Sequence, residues 1–225
     1  MSGIIASKVV TDGLVLYLDA ANTKSYTSGS TTWNDMSRSG INGTLVNGPT
    51  FNSGNGGSIS FDGVDDKVTC GNTLNLNQHS ICFWFYPKSS ITQEIIYKPV
   101  SVASSGPGPY EIFTTSNKIY YRLNNNSTPS TTQGSTLSLN MNKWNYICGT
   151  YDNVKMRIYM NAILDIDVAF TPTLTNTNSD LTIGSYSDGG YPLSANISNI
   201  QIYNRALSAK EVLQNYNATK SRYQS

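Results

Sequence analysis

The sequence predicts an all-β fold, a single antiparallel two-sheet β-sandwich closed by one short C-terminal helix. Three observations predict it. Strand-like segments recur along the whole 225-residue chain, separated by Gly-, Asn- and Ser-rich turns. The segment Ile81-Cys82-Phe83-Trp84-Phe85-Tyr86 is apolar on both faces of a strand, as befits an inner strand covered on both sides. Only one stretch, Ser208-Ala209-Lys210-Glu211, carries a strong helix-start signal.

Taken in order, Leu14-Val15-Leu16-Tyr17-Leu18 follows the turn Thr11-Asp12-Gly13 and opens the domain. Residues 22–55 are loop-rich, punctuated by Asn42-Gly43, Asn47-Gly48-Pro49 and Gly54-Asn55-Gly56-Gly57. The alternating segment Ser58-Ile59-Ser60-Phe61 runs into Asp62-Gly63-Val64-Asp65-Asp66, and a second strand leaves at once through Lys67-Val68. Gly63 supplies the positive φ such a turn needs, and Asp62, Asp65 and Asp66 place three carboxylates around it. After Pro87 come strands at Glu94–Tyr97, Tyr110–Phe113 and Lys118–Leu123, the last two flanking Thr114–Asn117 as a hairpin. Residues 124–134 read as an exposed polar loop tip. Trp144–Tyr151 and Val154–Met160 pair about Asp152-Asn153, and Met156, Ile158 and Met160 alternate with polar neighbours as in a half-buried strand. Leu181–Gly184 and Ala195–Tyr203 close the sheets. Ser208 caps a helix to about Asn217, Glu211 reaches back to it, and Leu207 and Val212 stand at the spacing of a hydrophobic staple. Residues 1–13 are assigned to an N-terminal arm or edge strand, 14–217 to one domain and 218–225 to a tail. Ile4, Ile5, Val9 and Val10 suit an anchoring arm.

Composition narrows the function classes. Charged residues are 13% of the chain, about half the usual ~25%, and the net charge of +1 provides no field to gather nucleic acid. No apolar run is long enough for a membrane-spanning helix, and Met1-Ser2-Gly3-Ile4-Ile5 has no secretory leader pattern. The fifteen Tyr and three Trp suit strands and core packing, with some rings free to serve as exposed platforms. Cys70, Cys82 and Cys148 are an odd set at wide spacing, matching neither a disulfide framework nor a zinc site. They are expected to be free thiols, as in a protein folded in a reducing cytoplasm.

Four pieces resemble the laminin-G-like (LamG), concanavalin A-like jelly-roll superfamily: Phe61-Asp62-Gly63-Val64-Asp65-Asp66; Ile81–Pro87; Trp144–Asp152 with Ile158-Tyr159-Met160-Asn161-Ala162; and Ile197–Leu207 with its Tyr203-Asn204-Arg205-Ala206-Leu207-Ser208 ending. The opening, Gly13–Asn22 with Trp33-Asn34-Asp35-Met36-Ser37, is similar to LamG modules in virion proteins of tailed phages, cyanophages included. That resemblance implies a non-enzymatic structural or decorating protein on a virion surface, contacting other virion proteins and its own copies, with adhesion to host glycans as an added role. The alternative it leaves open is a lectin-like carbohydrate-binding module of a bacterial or phage surface protein.

The resemblance also implies sites. Members of the superfamily hold a structural Ca²⁺ near the sandwich rim, and Asp62 matches the motif aspartate; its other role is to cap its own turn. Where relatives often carry two acids, this chain has Ser198 and Asn199, which weakens any ion shared between the segments. Glycan-binding loops of this fold combine an aromatic ring with Asn, Asp and Gly, which points to Tyr186, Asp188, Gly189, Gly190 and Tyr191, and to Asn124, Asn125 and Asn126. Ordinary solvated loops have the same composition. The glucanase carboxylate pattern is missing: the only glutamates, Glu94, Glu111 and Glu211, are far apart in sequence, Asp165 and Asp167 lack a third partner, and the sole histidine, His79, has no evident nucleophile. No catalytic residue is assigned.

Overall fold

The computed structural model describes residues 8–100, 108–124, 131–171, 174 and 177–223. Among these the chain forms β1 (Leu14–Asp19), β2 (Thr32–Trp33), β3 (Gly43–Val46), β4 (Thr50–Asn52), β5 (Ser58–Asp62), β6 (Lys67–Thr69), β7 (His79–Pro87) and β8 (Gln93–Lys98). There follow β9 (Tyr110–Thr115), β10 (Lys118–Leu123), β11 (Thr131–Gly134), β12 (Asn145–Tyr151), β13 (Lys155–Met160), β14 (Ile163–Ala169), β15 (Thr182–Ile183), β16 (Ser194–Tyr203) and the helix α1 (Ala209–Thr219). One sheet has the order β14-β13-β12-β7-β16-β5-β4, with β1 also paired to β16; the other runs β11-β10-β9-β8-β15-β6-β3-β2. Every strand pair is antiparallel. The all-β, two-sheet sandwich with one C-terminal helix is therefore the observed fold.

Strand periodicity explains the layering. On β7, Ile81, Phe83 and Phe85 point into the space between the sheets with Leu16, Ile59, Phe61, Ile112 and Ile147. Cys82 and Trp84 point outward and meet Tyr146, Tyr203 and Val212 in a second apolar layer under α1. All but Tyr86 of β7 is buried, as its two apolar faces require. Hairpins form where two-residue turns tolerate positive φ: Ser116-Asn117 between β9 and β10, and Asn161-Ala162 between β13 and β14. The loop-rich stretch 22–55 contributes β2, β3 and β4, and the expected loop tip at 124–134 contributes β11 to a sheet edge.

The free-thiol expectation is corrected for two cysteines. Register sets Cys82 of β7 directly opposite Cys148 of β12, and the two are joined as a disulfide under α1, while Cys70 stays free and buried. Sequence spacing cannot show this, because the pairing follows from strand register across 66 residues.

The ends of the chain are fastened together. Val10 donates its amide to Asn215 Oδ1 (2.8 Å) and accepts from Tyr203 Oη (2.9 Å); of the arm, residues 1–7 lie outside the described set. Beyond α1, the Arg222 guanidinium reaches both oxygens of buried Asp19 (2.8 and 2.9 Å), and Tyr223 packs on Trp84 with ring centroids 4.1 Å apart. Residues 220–223, assigned to a tail, thus complete the outer layer.

The helix start is the predicted capping box, with Ser208 accepting from the Glu211 amide and Glu211 accepting from the Ser208 amide. Glu211 also takes Arg205 at 2.6 Å, and that hydrogen bond above all holds its pKa down to about 2. Because the folded pKa lies below the unfolded value of about 4.3, this contribution is complete above pH ~4.3 and is lost as pH falls toward 2. Acid titration of thermal stability should show the loss across that window, and Glu211→Gln should flatten the dependence there.

Candidate functional site

The turn joining β5 to β6 is built by its own carboxylates. Asp62 Oδ1 accepts the Val64 amide (2.8 Å), and Asp66 Oδ2 reaches back to the Asp62 amide (2.9 Å). Gly63 has φ +85°, and a Cβ there would lie 3.0 Å from Ser194 Cβ, so a side chain would be strained in backbone and tight against its neighbour. The result brings one carboxylate oxygen each of Asp62, Asp65 and Asp66 within 4.8 Å of one another. Asp62 and Asp65 are exposed and Asp66 is buried. Burial, together with the neighbouring Asp62 and Asp65 charges, pushes the Asp66 carboxyl up, against the hydrogen bond from Asp62 that pulls it down. Among the described residues no Lys or Arg pairs with the three acids; the adjacent Lys67 gives its Nζ to Ser187 O (3.0 Å) instead. Three crowded hard oxygen donors without a basic partner form a cluster capable of coordinating a metal ion. Asp62 thus caps its turn and also belongs to this cluster.

The loop between β15 and β16 lies at the same end of the sandwich. Ser194 pairs with Asp62, Lys67 reaches Ser187, and the Glu94 amide donates to Tyr191 O (2.9 Å). The loop's two tyrosines differ in role. Tyr186 is only 7% exposed, packs on Tyr97 at 4.4 Å between centroids and touches Tyr191 edge-on at 5.1 Å; it supports the loop. Tyr191 is 50% exposed and adopts φ +53°, an uncommon state for a bulky residue. Asp188 accepts the Gly190 amide (2.9 Å), and Gly189 takes the positive φ that closes the turn. Asn124 sits elsewhere, following β10 with its amide on Pro109 O (3.2 Å), beside the Tyr110 and Lys98 end of the strands rather than the Glu94 end. Asn125 and Asn126 lie outside the described residues.

The fold also gathers polar groups that are scattered in sequence. Glu94 and Glu111 come together on the outward side of β8 and β9, where Glu111 is paired with Arg122 of β10 at 2.5 Å. Burial, reinforced by the Glu111 charge, drives the Glu94 carboxyl well up. Both glutamates are buried, at 2% and 0% exposure, and Glu111 is committed to Arg122. His79 is buried among Tyr110, Tyr121 and Tyr151, and burial brings its pKa down to about 3, so it is a neutral packing group. Asp165 is engaged by Thr136 and Asp167 by Lys155 and Arg157. Ser198 and Asn199, standing where relatives often carry acids, bond to Tyr223 Oη in the outer layer.

Comparisons with known proteins agree with this architecture. Residues 61–213 match the family model described as the concanavalin A-like lectin/glucanases superfamily. A search of curated protein sequences finds no match. Among solved structures, a botulinum neurotoxin type G receptor-binding domain aligns with TM-score 0.69 and 20% identity over 91% of this chain and 51% of that one. The binding domain of Paraclostridial mosquitocidal protein 1 aligns with TM-score 0.71 and 15% identity, over 92% and 52%. A serotype D ligand-binding domain in complex with N-acetylneuraminic acid gives 0.70 and 14%, over 92% and 51%. At these identities the likeness shows the fold, and the chain spans about half the length of those structures.

These findings correct the expectation of a tailed-phage virion component. The family match is to lectins and glucanases, and the similar structures named above are toxin binding domains rather than virion proteins. The virion structural role falls with that resemblance, and the comparisons give no support for virion-protein partners. The reading of the chain as non-enzymatic accords with the binding domains it resembles. No helix among the described residues is long and apolar enough to cross a membrane.

The contrast between the two tyrosines is measurable. Tyr186→Ala should cost about 3–5 kcal/mol in denaturant unfolding, as for other buried aromatic truncations, whereas Tyr191→Ala should leave stability within about 1 kcal/mol of the parent.

Proposed function

This chain belongs to the concanavalin A-like lectin/glucanases superfamily, and from that premise we propose that it is a non-enzymatic, lectin-like carbohydrate-binding module that engages glycans at the rim holding the acidic turn and the Tyr191 loop. The observation that carries this is the exposed Tyr191 ring, held with positive φ beside a metal-capable cluster. Backbone strain in a bulky residue persists where surrounding contacts over-determine it, and binding loops are where such strain concentrates. Here the Glu94 amide and the Tyr186 edge hold the residue in place. An amphipathic ring then offers its face to the C–H side of a sugar, and Asp188 with the loop amides supplies polar contacts at its edge.

Calcium fits the turn. Asp62, Asp65 and Asp66 would hold it, and hard oxygens from carboxylates and carbonyls are its usual ligands. A bound Ca²⁺ would neutralise the mutual repulsion of the three acids. The protein's own part is to keep Gly63 in its turn and Ser194 beside Asp62, so that the carboxylates stay converged with the loop nearby. The receptor-binding domains of similar fold, one of them solved with N-acetylneuraminic acid, support the reading by analogy of fold.

Two outcomes follow. On a glycan array followed by calorimetry, the parent should retain at least one saccharide and Tyr191→Ala should weaken it about 10-fold or more, in line with loss of an aromatic anchor. Retention unchanged in Tyr191→Ala would place the site elsewhere. Millimolar Ca²⁺ should raise the thermal midpoint by a few degrees, the response expected of a ligand that binds only the folded chain, and Asp66→Asn should abolish the rise. An equal rise in both proteins would exclude the cluster as the ion's site.

A further inference from the structure

A second candidate site lies on the outer face of the sheet that contains β5, β16 and β7, next to the rim but built from other residues. Strand periodicity turns Ser58 and Ser60 of β5, Asn196 of β16 and Tyr86 of β7 outward, since Ile59, Phe61, Ala195, Ile197 and Phe85 all point into the core. Register aligns three of them in one row, Asn196 pairing with Ser60 on one side and with Tyr86 on the other, while Ser58 stands two residues along β5, opposite Asn52 of β4. Ser58, Asn196 and Tyr86, with Lys88 and Trp144, line a pocket of about 310 Å³.

The pocket has the makings of a binding site rather than a dimple. Its wall is aromatic: Tyr86 and Trp144 meet edge to face at 5.5 Å between centroids. The indole is fixed by a 3.0 Å hydrogen bond from its Nε1 to Asn55 Oδ1 and by Tyr223 packed 4.9 Å away. Its floor is polar and unsatisfied. Asn196 is 7% exposed and Ser58 1%, yet neither Asn196 Oδ1 nor Ser58 Oγ has a hydrogen-bond partner among the described residues. Buried polar atoms left unpaired are costly, and a ligand that bonds to them recovers that cost. The charge at the rim has one sign. Lys88, whose Nζ rests on Ser60 Oγ at 2.8 Å, is the only ionisable cation or anion among the lining residues.

We propose that this pocket binds a single pyranose unit bearing a carboxylate, with the sugar ring against Tyr86 and Trp144, its hydroxyls on Asn196 and Ser58, and its acid group on Lys88. The proposal rests on the carbohydrate-binding reading above but names different residues. A flat ring with hydroxyls at its edges suits one aromatic wall over a polar floor, and the lone ammonium favours an acidic sugar over its neutral parent through a charge-assisted bond.

The test is calorimetric titration of the full chain, in saturating Ca²⁺, with sialyllactose against lactose and with galacturonate oligomers against galactose oligomers. The parent should bind at least one acidic saccharide about 10-fold or more tightly than its neutral counterpart. Lys88→Ala should erase that preference, and Asn196→Ala should weaken binding about 5-fold or more. Thermal unfolding of each variant checks that both remain folded, and Lys88, being exposed, gives a variant that does not depend on the core. Binding that survives Lys88→Ala and Asn196→Ala but is lost in Tyr191→Ala would overturn the pocket and leave the rim reading standing. Failure of every saccharide to bind the parent would overturn both.

Discussion

The two apolar faces of β7 are the constraint on which the rest of the structure depends. Ile81, Phe83 and Phe85 demand a facing sheet, and the second sheet answers with Ile112 and Ile119. Cys82 and Trp84 demand a cover on the other side, which a two-sheet sandwich alone does not supply. The C-terminal segment supplies it. Trp84 stacks on Tyr216, donates its indole N–H to Thr219 at 2.8 Å and lies under Tyr223. Burying an indole of this size contributes on the order of several kcal/mol, enough to make α1 an integral layer.

That cover has consequences at a distance. Tyr223 reaches Ser198 and Asn199 in the irregular part of β16, and Arg222 neutralises Asp19, a buried carboxylate whose other partners, Tyr17 Oη and the Ala21 amide, carry no charge. Paired buried charges break even at best, but removing one partner is expensive, so Asp19 and Arg222 bind the first strand and the chain's end into one unit. Ser198 and Asn199 carry no carboxylate and are bonded to Tyr223, so the acidic turn has the carboxylates of its own loop. Asp62, Asp65 and Asp66 are close enough in sequence for one tight turn to gather them.

What could be read from the sequence was what local patterning encodes. The capping box at Ser208, the double-faced strand at Ile81–Tyr86 and the turn at Gly63 each depend on residues a few positions apart, and all three form as read. What could not be read depends on register between distant strands. Cys82 meets Cys148, and Glu94 meets Glu111 and Arg122, only once β7, β8, β9, β10 and β12 are aligned. The loop at Tyr186–Tyr191 was legible as a loop, but periodicity says nothing about which ring folds under and which stands out. The grouping of Ser58, Asn196 and Tyr86 on one face was hidden for the same reason. Each is an unremarkable polar or aromatic position on the outward face of its own strand.

The same strand geometry joins the acidic turn to the outer pocket. Ser58, Ser60 and Asp62 alternate with the core residues Ile59 and Phe61, so all three face outward along β5. At about 3.3 Å per residue, Asp62 stands roughly 7 Å from Ser60, on which Lys88 rests. Unit charges at that range interact by about 0.6 kcal/mol in water and more near a protein surface. Three uncompensated carboxylates would therefore oppose an acid group brought to Lys88, and a divalent cation among them would remove the opposition. Two sites that share β5 and β16 differ in chemistry but not in electrostatic field, and the charge state of the turn sets how strongly Lys88 can select for an acid.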